Sequence, residues 1–283
     1  MNVERQSNVD ANVTKGFGDE WSTFRQGEQE LSAEQRQAIF DNYFAIFPWD
    51  ALPKNGGIGL DVGCGSGRWS MGVAPRVNHL HALDASADAL AVARQNLSRF
   101  DNVTFHHASV GNIPLPDRSL DFAFSLGVLH HVPDTKAAIE AVAAKLKPGA
   151  PFLVYLYYAF DNRPVWFRGI WAASDVVRQA MSRMPHPVRF ALSQVIAATV
   201  YWPLTRLALL AGRLGRSPDA IPLAWYRDKS FYVMRTDAYD RFCTRLEQRF
   251  TRPQITEMLA HAGFRDIRFS DREPYWCAVG IRN

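Results

Sequence analysis

Short apolar runs alternate with longer amphipathic stretches through the middle of the chain. The runs predict strands near 58–62, 79–83, 103–107, 120–126 and 151–158, and the stretches between them predict helices near 68–77, 86–98 and 134–146. Such alternation builds a parallel sheet with helices on both faces. Thr251 then reads as an N-cap, with Pro253 in the first turn of a helix over 253–262. The next apolar runs, 265–270 and 275–281, have no helix between them. They predict an antiparallel hairpin at the sheet edge, so the fold class is α/β, a Rossmann-like doubly wound sheet with an antiparallel C-terminal edge hairpin.

Two regions fall outside this pattern. Residues 1–16 carry no hydrophobic period and read as a flexible arm. Within 17–56, a segment of helix formers from Ser32 to Tyr43 carries a capping-box pair, Ser32 and Gln35. Pro48, Pro53, Asn55, Gly56 and Gly57 make a turn-rich link into a core at 57–159. The stretch 160–250 is too long for a loop and predicts a helical insertion before the core closes with 251–283. There, Val165 to Met184 reads as an amphipathic helix, and Val188 to Leu214 as one or two more, broken or kinked at Pro203.

Composition narrows the class. With 47% hydrophobic and 21% charged residues in 283, the chain can pack a sizeable core and is not globally disordered. The net charge of +4 is too mild to argue for nucleic acid, and none is expected as a partner. Its three cysteines show neither metal-site nor disulfide spacing, so no metal is expected. The first sixteen residues have no apolar signal-like core, and the cytoplasm is the expected compartment.

Chemistry concentrates after the first strand, in Asp61-Val62-Gly63-Cys64-Gly65-Ser66-Gly67. Glycines at alternating positions between a strand and a helix let a ligand lie against bare backbone and should present free N–H groups. Asp84 ends the second strand about 20 residues later, where an acid commonly accepts from ribose hydroxyls. Together these predict a nucleoside-type cofactor across the carboxyl edge of the sheet. Cys64 is small enough for the loop and reads as structural.

The stretch D-V-G-C-G-S-G resembles motif I of the class I S-adenosylmethionine-dependent methyltransferases. Further stretches fit the same family: L-D-A-S at 83–86, I-P-L-P-D-R-S-L-D-F-A-F-S at 113–125, G-V-L-H-H-V-P-D at 127–134, L-K-P-G at 146–149 and A-G-F-R-D-I at 262–267. The likeness covers about 57–159 and 250–281. It implies S-adenosylmethionine as cofactor and S-adenosylhomocysteine as product. Asp61 would take the amino group of the methionine part, and Asp84 the ribose. Gly63, Cys64, Gly65, Gly67, Ala85 and Leu126 would line the cofactor. Many relatives carry an Asp for the adenine amino group where this chain has Ser109, which leaves the serine hydroxyl and the Val110 backbone for that contact. An F-G-x-E-W stretch ending at Trp21 is similar to one in small-molecule methyltransferases whose leading helix covers the cofactor; packing on the sheet is the other reading of Trp21.

His130 and His131 follow the fourth strand, where a histidine could take a hydroxyl proton. In the related cyclopropane synthases a glutamate of this motif lines the site and aligns with His130. His130 is therefore the candidate base, His131 its support or a substrate contact, and Tyr157 a second catalytic candidate. Tyr158, Arg163, Trp225, Tyr226 and Arg227 are candidate substrate residues, with an aromatic core and a solvated arginine surface as the alternative. The resemblance implies methyl transfer to a small-molecule acceptor. A sugar-linked or secondary-metabolite hydroxyl leads, C-methylation of a quinone or lipid-like acceptor is second, and non-catalytic cofactor binding is the rival of another class. The insertion reads as a lid over the substrate opening. The run at 188–216 admits peripheral membrane contact or a homodimer face as alternatives.

Overall fold

Strand β1 (Ile58–Val62) lies near the middle of a seven-stranded sheet, pairing in parallel with β2 (His79–Asp84) on one side and β4 (Phe122–Leu126) on the other. β3 (Val103–His107) extends the sheet beyond β2, and β5 (Pro151–Tyr155) lies beyond β4. β7 (Cys277–Arg282) then enters between β5 and β6 (Phe264–Phe269), antiparallel to both, giving the order β3-β2-β1-β4-β5-β7-β6. The computed structural model describes residues 8–16, 32–218 and 221–283, in which the chain forms two compact units, Met1–Asp161 with Leu246–Asn283, and Asn162–Arg245.

The strands hold their places because both sheet faces are apolar. Leu60, Ala123, Phe152 and Val154 meet α4 (Thr135–Lys145) and α9 (Arg252–His261) on one face. Leu80, Phe122, Phe124 and Leu153 meet Ile39, Phe40 and Phe44 of α1 (Ala33–Tyr43) and its C-cap on the other. α3 (Ala87–Asn96) covers β2 through Leu90 and Ala93. Strands buried on both faces read as continuous apolar runs, which is why they were visible in sequence. The capping boxes at Ser32 with Gln35 and at Thr251 with Gln254 are both formed.

Three expectations need correction. Residues 8–16 are not a free arm: Asn8 Nδ2 donates to Asp134 O at 2.7 Å, and Asp134 N donates to Asn8 Oδ1 at 2.9 Å. Val13 is buried on a helical stretch at 11–16. The helix expected over 68–77 shrinks to α2 (Ser70–Val73) and a 3₁₀ turn, Ala74–Arg76, because Pro75 brings no N–H to continue the α ladder. Strand β5 ends its regular pairing at Tyr155; Leu156 still exchanges long bonds with Trp276.

The unit Asn162–Arg245 is helical. It contains α5 (Val165–Met181), α6 (His186–Ile196), α7 (Trp202–Arg213) and α8 (Phe231–Cys243). No break occurs at Pro203. α6 and α7 run on as one helix, with a π-type segment, Ala197–Tyr201, absorbing the proline just beyond it. The core of this unit is Met181, Ala197, Tyr201, Met234, Ala238 and Phe242. Polar groups also turn inward. Tyr201 OH donates to Asp237 Oδ2 at 2.7 Å, and burial raises both of these acids above their ordinary values. Arg178 is buried against the carbonyls of Thr244 and Arg245 at 3.0 and 3.3 Å.

Candidate active site

At the carboxyl end of β1 the chain turns through Gly63, Cys64, Gly65, Ser66 and Gly67 beneath the end of β2. The N–H groups of Gly63 and Cys64 both donate to Leu83 O, at 2.8 and 2.9 Å. Gly65 N donates to Asp84 Oδ2 at 2.8 Å, and Gly67 N to Cys64 O at 2.8 Å. This corrects the expectation of free donors, since the turn spends these four N–H groups on its own closure. What it offers a ligand is backbone without side chains. Gly63 (φ +76°) and Gly67 (φ +78°) are required for packing as well: a Cβ on Gly63 would enter the Val128 side chain, and one on Gly67 would come 2.8 Å from Leu97 Cδ1.

Asp61 and Asp84 stand on either side of this turn. Asp61 is fully buried, and its Oδ2 accepts from Ser70 Oγ at 2.7 Å. Its Oδ1 is buried with no hydrogen-bond partner. Burial, opposed by the Ser70 bond and reinforced by the Asp84 charge, raises the Asp61 carboxyl to about 7. A buried acceptor without a donor is costly, and an ammonium group arriving there satisfies it with a charge-assisted bond. Asp84 accepts from Gly65 N through one oxygen and from Ser86 N at 2.8 Å through the other. Each oxygen keeps a further lone pair, as two ribose hydroxyls require. Burial also raises the Asp84 carboxyl, against the backbone donors at Ser86 and Gly65. The residues present therefore fit the adenosyl-sulfonium ligand expected from sequence.

The remaining cofactor candidates follow the same edge. Ala85 continues from Asp84, and its carbonyl takes His107 Nε2 at 3.1 Å. Ser109 begins the 3₁₀ turn Val110–Asn112 without capping it, and Val110 is buried. Leu126 closes β4 and is buried in the aromatic layer under α1. The Cys64 thiol is buried and pushed well up by desolvation and the two aspartates, so it is inert. Trp21 lies outside the described residues.

Past β4, the 3₁₀ turn Leu129–His131 buries both histidines. The His130 ring stacks on Tyr157 at 3.8 Å between centroids and stands 4.1 Å from that of His131. Tyr157 N donates to His130 Nδ1 over a long 3.4 Å, so the neutral ring carries its proton on Nε2, a buried atom without a partner. Burial, followed by His131 and Arg249, holds His130 well below 6.5. His131 has the opposite tautomer. Its Nδ1 meets Leu246 O at 2.7 Å, and a carbonyl can only accept, so in the neutral ring the lone pair is on Nε2. The geometry thus corrects the base assignment: His130 is a donor, and His131 is the ring built to accept.

Sequence reasoning missed Glu247 and Arg249. They form an ion pair at 2.7 Å with side chains 2% and 9% exposed, and the guanidinium also lies 5.0 Å from the centroids of Tyr157 and Phe160. Nothing in a strand-helix pattern marks such a pair, which stands in a stretch that mixes charged, polar and apolar residues ahead of α9. Tyr158 is not brought to the histidines. It packs on Phe160, Tyr275 and Trp276 instead. Arg163, Trp225, Tyr226 and Arg227 belong to the helical unit. There Arg163 covers the Phe167 ring, Trp225 stands edge-on to Tyr226, and Arg227 pairs with Asp228 at 3.4 Å.

A parallel sheet whose strand order reverses between β1 and β4, a closing antiparallel pair, a glycine turn and two flanking acids make a Rossmann-like α/β domain with a cofactor-binding edge. Residues 60–149 match the family described as methyltransferase domain. An uncharacterised methyltransferase of Mycobacterium bovis is 27% identical over 147 residues, covering 51% of this chain and 68% of that protein. A ubiquinone biosynthesis O-methyltransferase of Idiomarina loihiensis is 34% identical over 122 residues, 42% of this chain and 49% of its own length. The chain thus spans about half of that second relative. Among solved structures, an Aquifex aeolicus SAM-dependent methyltransferase aligns over 89% of this chain and 97% of its own, at 14% identity and a TM-score of 0.45. Residues 60–149 thus match a methyltransferase domain, and this part of the chain is similar to S-adenosylmethionine-dependent methyltransferases, the cofactor its residues fit.

Proposed function

We propose that this protein methylates a hydroxyl of a small-molecule acceptor, a sugar-linked or secondary-metabolite alcohol being the leading class. When bound, S-adenosylmethionine supplies an electrophilic methyl carbon on a positively charged sulfur. Asp61 would hold the amino group of that ligand and Asp84 its ribose, and the glycine turn would let it lie close. The observation that supports the acceptor reading is the pair of opposed tautomers: His130 Nε2–H is a buried donor that would meet an acceptor oxygen, and His131 Nε2 would carry the lone pair suited to its proton. An orphaned buried N–H costs about 1–3 kcal/mol, which an oxygen ligand would recover.

The test is product analysis by mass spectrometry after incubation of full-length protein with labelled cofactor and panels of alcohols, amines and quinones. O-methyl products, with turnover lowered about 10²–10⁴-fold in His131→Ala while cofactor affinity holds, are the expected result. Products methylated only at nitrogen or carbon would overturn it. A second reading, methylation of a quinone or lipid-like acceptor at a membrane, is favoured by the exposed apolar faces of α5 and α7. Cofactor binding without methyl consumption on any panel would point to the non-catalytic rival.

A further inference from the structure

Around its apolar core, the helical unit carries large hydrophobic side chains on its outer face as well. All fifteen large hydrophobic side chains that stand exposed among the described residues lie between Val165 and Phe231, within that unit. They follow helical spacing. On α5 the outer row includes Trp166, Ile170 and Val177; on α6 it includes Val188, Leu192 and Val195; on α7 and its C-cap, Leu207, Leu210 and Leu214. The inner row of the long helix is instead small or polar: Ser193, Ala197, Tyr201, Thr205 and Ala208 are all buried. A water-facing helix puts its large apolar residues inward. Small and hydroxyl residues inward with leucine and valine outward is the arrangement of helices whose outer solvent is lipid.

Charge selects the kind of lipid. Between residues 165 and 216 there are seven arginines and a single acid, Asp175, which pairs with the buried Arg178 at 2.6 Å. Arg168, Arg183, Arg206, Arg213 and Arg216 are exposed. Arginines with tryptophans beside an apolar row suit the boundary between headgroups and acyl chains, and they favour anionic headgroups.

The same residues decide against spanning. The helix His186–Arg213 is 28 residues long, with 22% of its most apolar window buried, which satisfies length and hydropathy for a crossing. Its packing partner α8 carries Arg235, Asp237, Asp240 and Arg241, however, and a crossing would draw these charges toward hydrocarbon. Lying in the interface leaves them on the aqueous side.

We propose that the Asn162–Arg245 unit seats peripherally on an anionic lipid surface through the outer faces of α5 and of the 186–213 helix. Flotation of full-length protein with phosphatidylcholine vesicles, with and without phosphatidylglycerol, tests this without reference to catalysis. Binding is expected only with the anionic lipid, and it should fall as salt is raised. Trp166→Gln and Leu207→Gln each should weaken it about tenfold, and Arg213→Glu with Arg216→Glu by a similar factor, with unchanged far-ultraviolet dichroism. Absence of binding at low salt would overturn the proposal. So would a soluble dimer that Leu207→Gln dissociates, which would assign the face to a second copy of the chain.

Discussion

His130 and His131 stand with ring centroids 4.1 Å apart, and their neutral forms carry the proton on opposite nitrogens. Nitrogen-15 spectra of the side chains should therefore show one Nε2–H and one Nδ1–H ring. His130 should stay neutral through pH 6.5, because its folded value lies well below that of a free histidine. The unfolded chain takes up that proton near 6.5 and the folded one does not. Stability from this group is thus complete above 6.5 and is lost as pH falls below it. A shift titration in which His130 protonates above 6.5 would refute the assignment.

Asp61 makes a prediction of opposite sign. Its carboxyl titrates near 7, so affinity for S-adenosylmethionine should rise as pH is raised from 6 to 8, while the ionised form gains weight. Asp61→Asn should lower affinity by roughly 10–100-fold, the worth of a charge-assisted bond, and should flatten the pH dependence. Titration calorimetry reads both. Between about pH 4 and 7 the folded state keeps a proton here that the unfolded chain has already released, so the ligand-free Asn variant should melt higher than the parent at pH 8.

The Glu247–Arg249 pair is nearly sealed from water. Replacing one partner strands the other charge, so Arg249→Met should cost about 3–5 kcal/mol in urea unfolding. Glu247→Leu in the same chain should return most of that loss. Equal loss in single and double variants would mean that the ring contacts with Tyr157 and Phe160, not the charge, carry the effect.

Gly63→Ala should destabilise for two separable reasons. The positive φ costs a side chain about 1–2 kcal/mol, and the new methyl meets Val128. Val128→Ala should relieve the second and leave the first, a partial rescue visible as a midpoint shift in denaturant.

The frame was legible because buried strands announce themselves as apolar runs and caps as short polar pairs. β1 to β5, α3, α4, α9, the Ser32–Gln35 capping box and the Thr251 N-cap fall within a few residues of expectation. Asp61 and Asp84 could be found because Asp61 stands one residue before the end of the first strand, next to the glycines, and Asp84 ends the second. The partners of the turn's N–H groups were not legible, since Leu83 reaches Gly63 and Cys64 only through the β1–β2 register. Nor were the tautomers, which depend on Tyr157 and Leu246, distant in sequence. Asn8 escaped notice for the same reason: its partner, Asp134, is 126 residues away.

β7 lies inside the sheet, not at its rim, and this bears on synthesis. On the ribosome, β5 emerges about 120 residues before its neighbour, which at roughly 5–20 residues per second is on the order of 6–24 s. For that interval Phe152, Leu153 and Val154, all buried in the finished protein, sit on an open ladder edge. The nascent sheet therefore completes only after residues 277–282 leave the exit tunnel, and until then the β5 edge is open to mispairing.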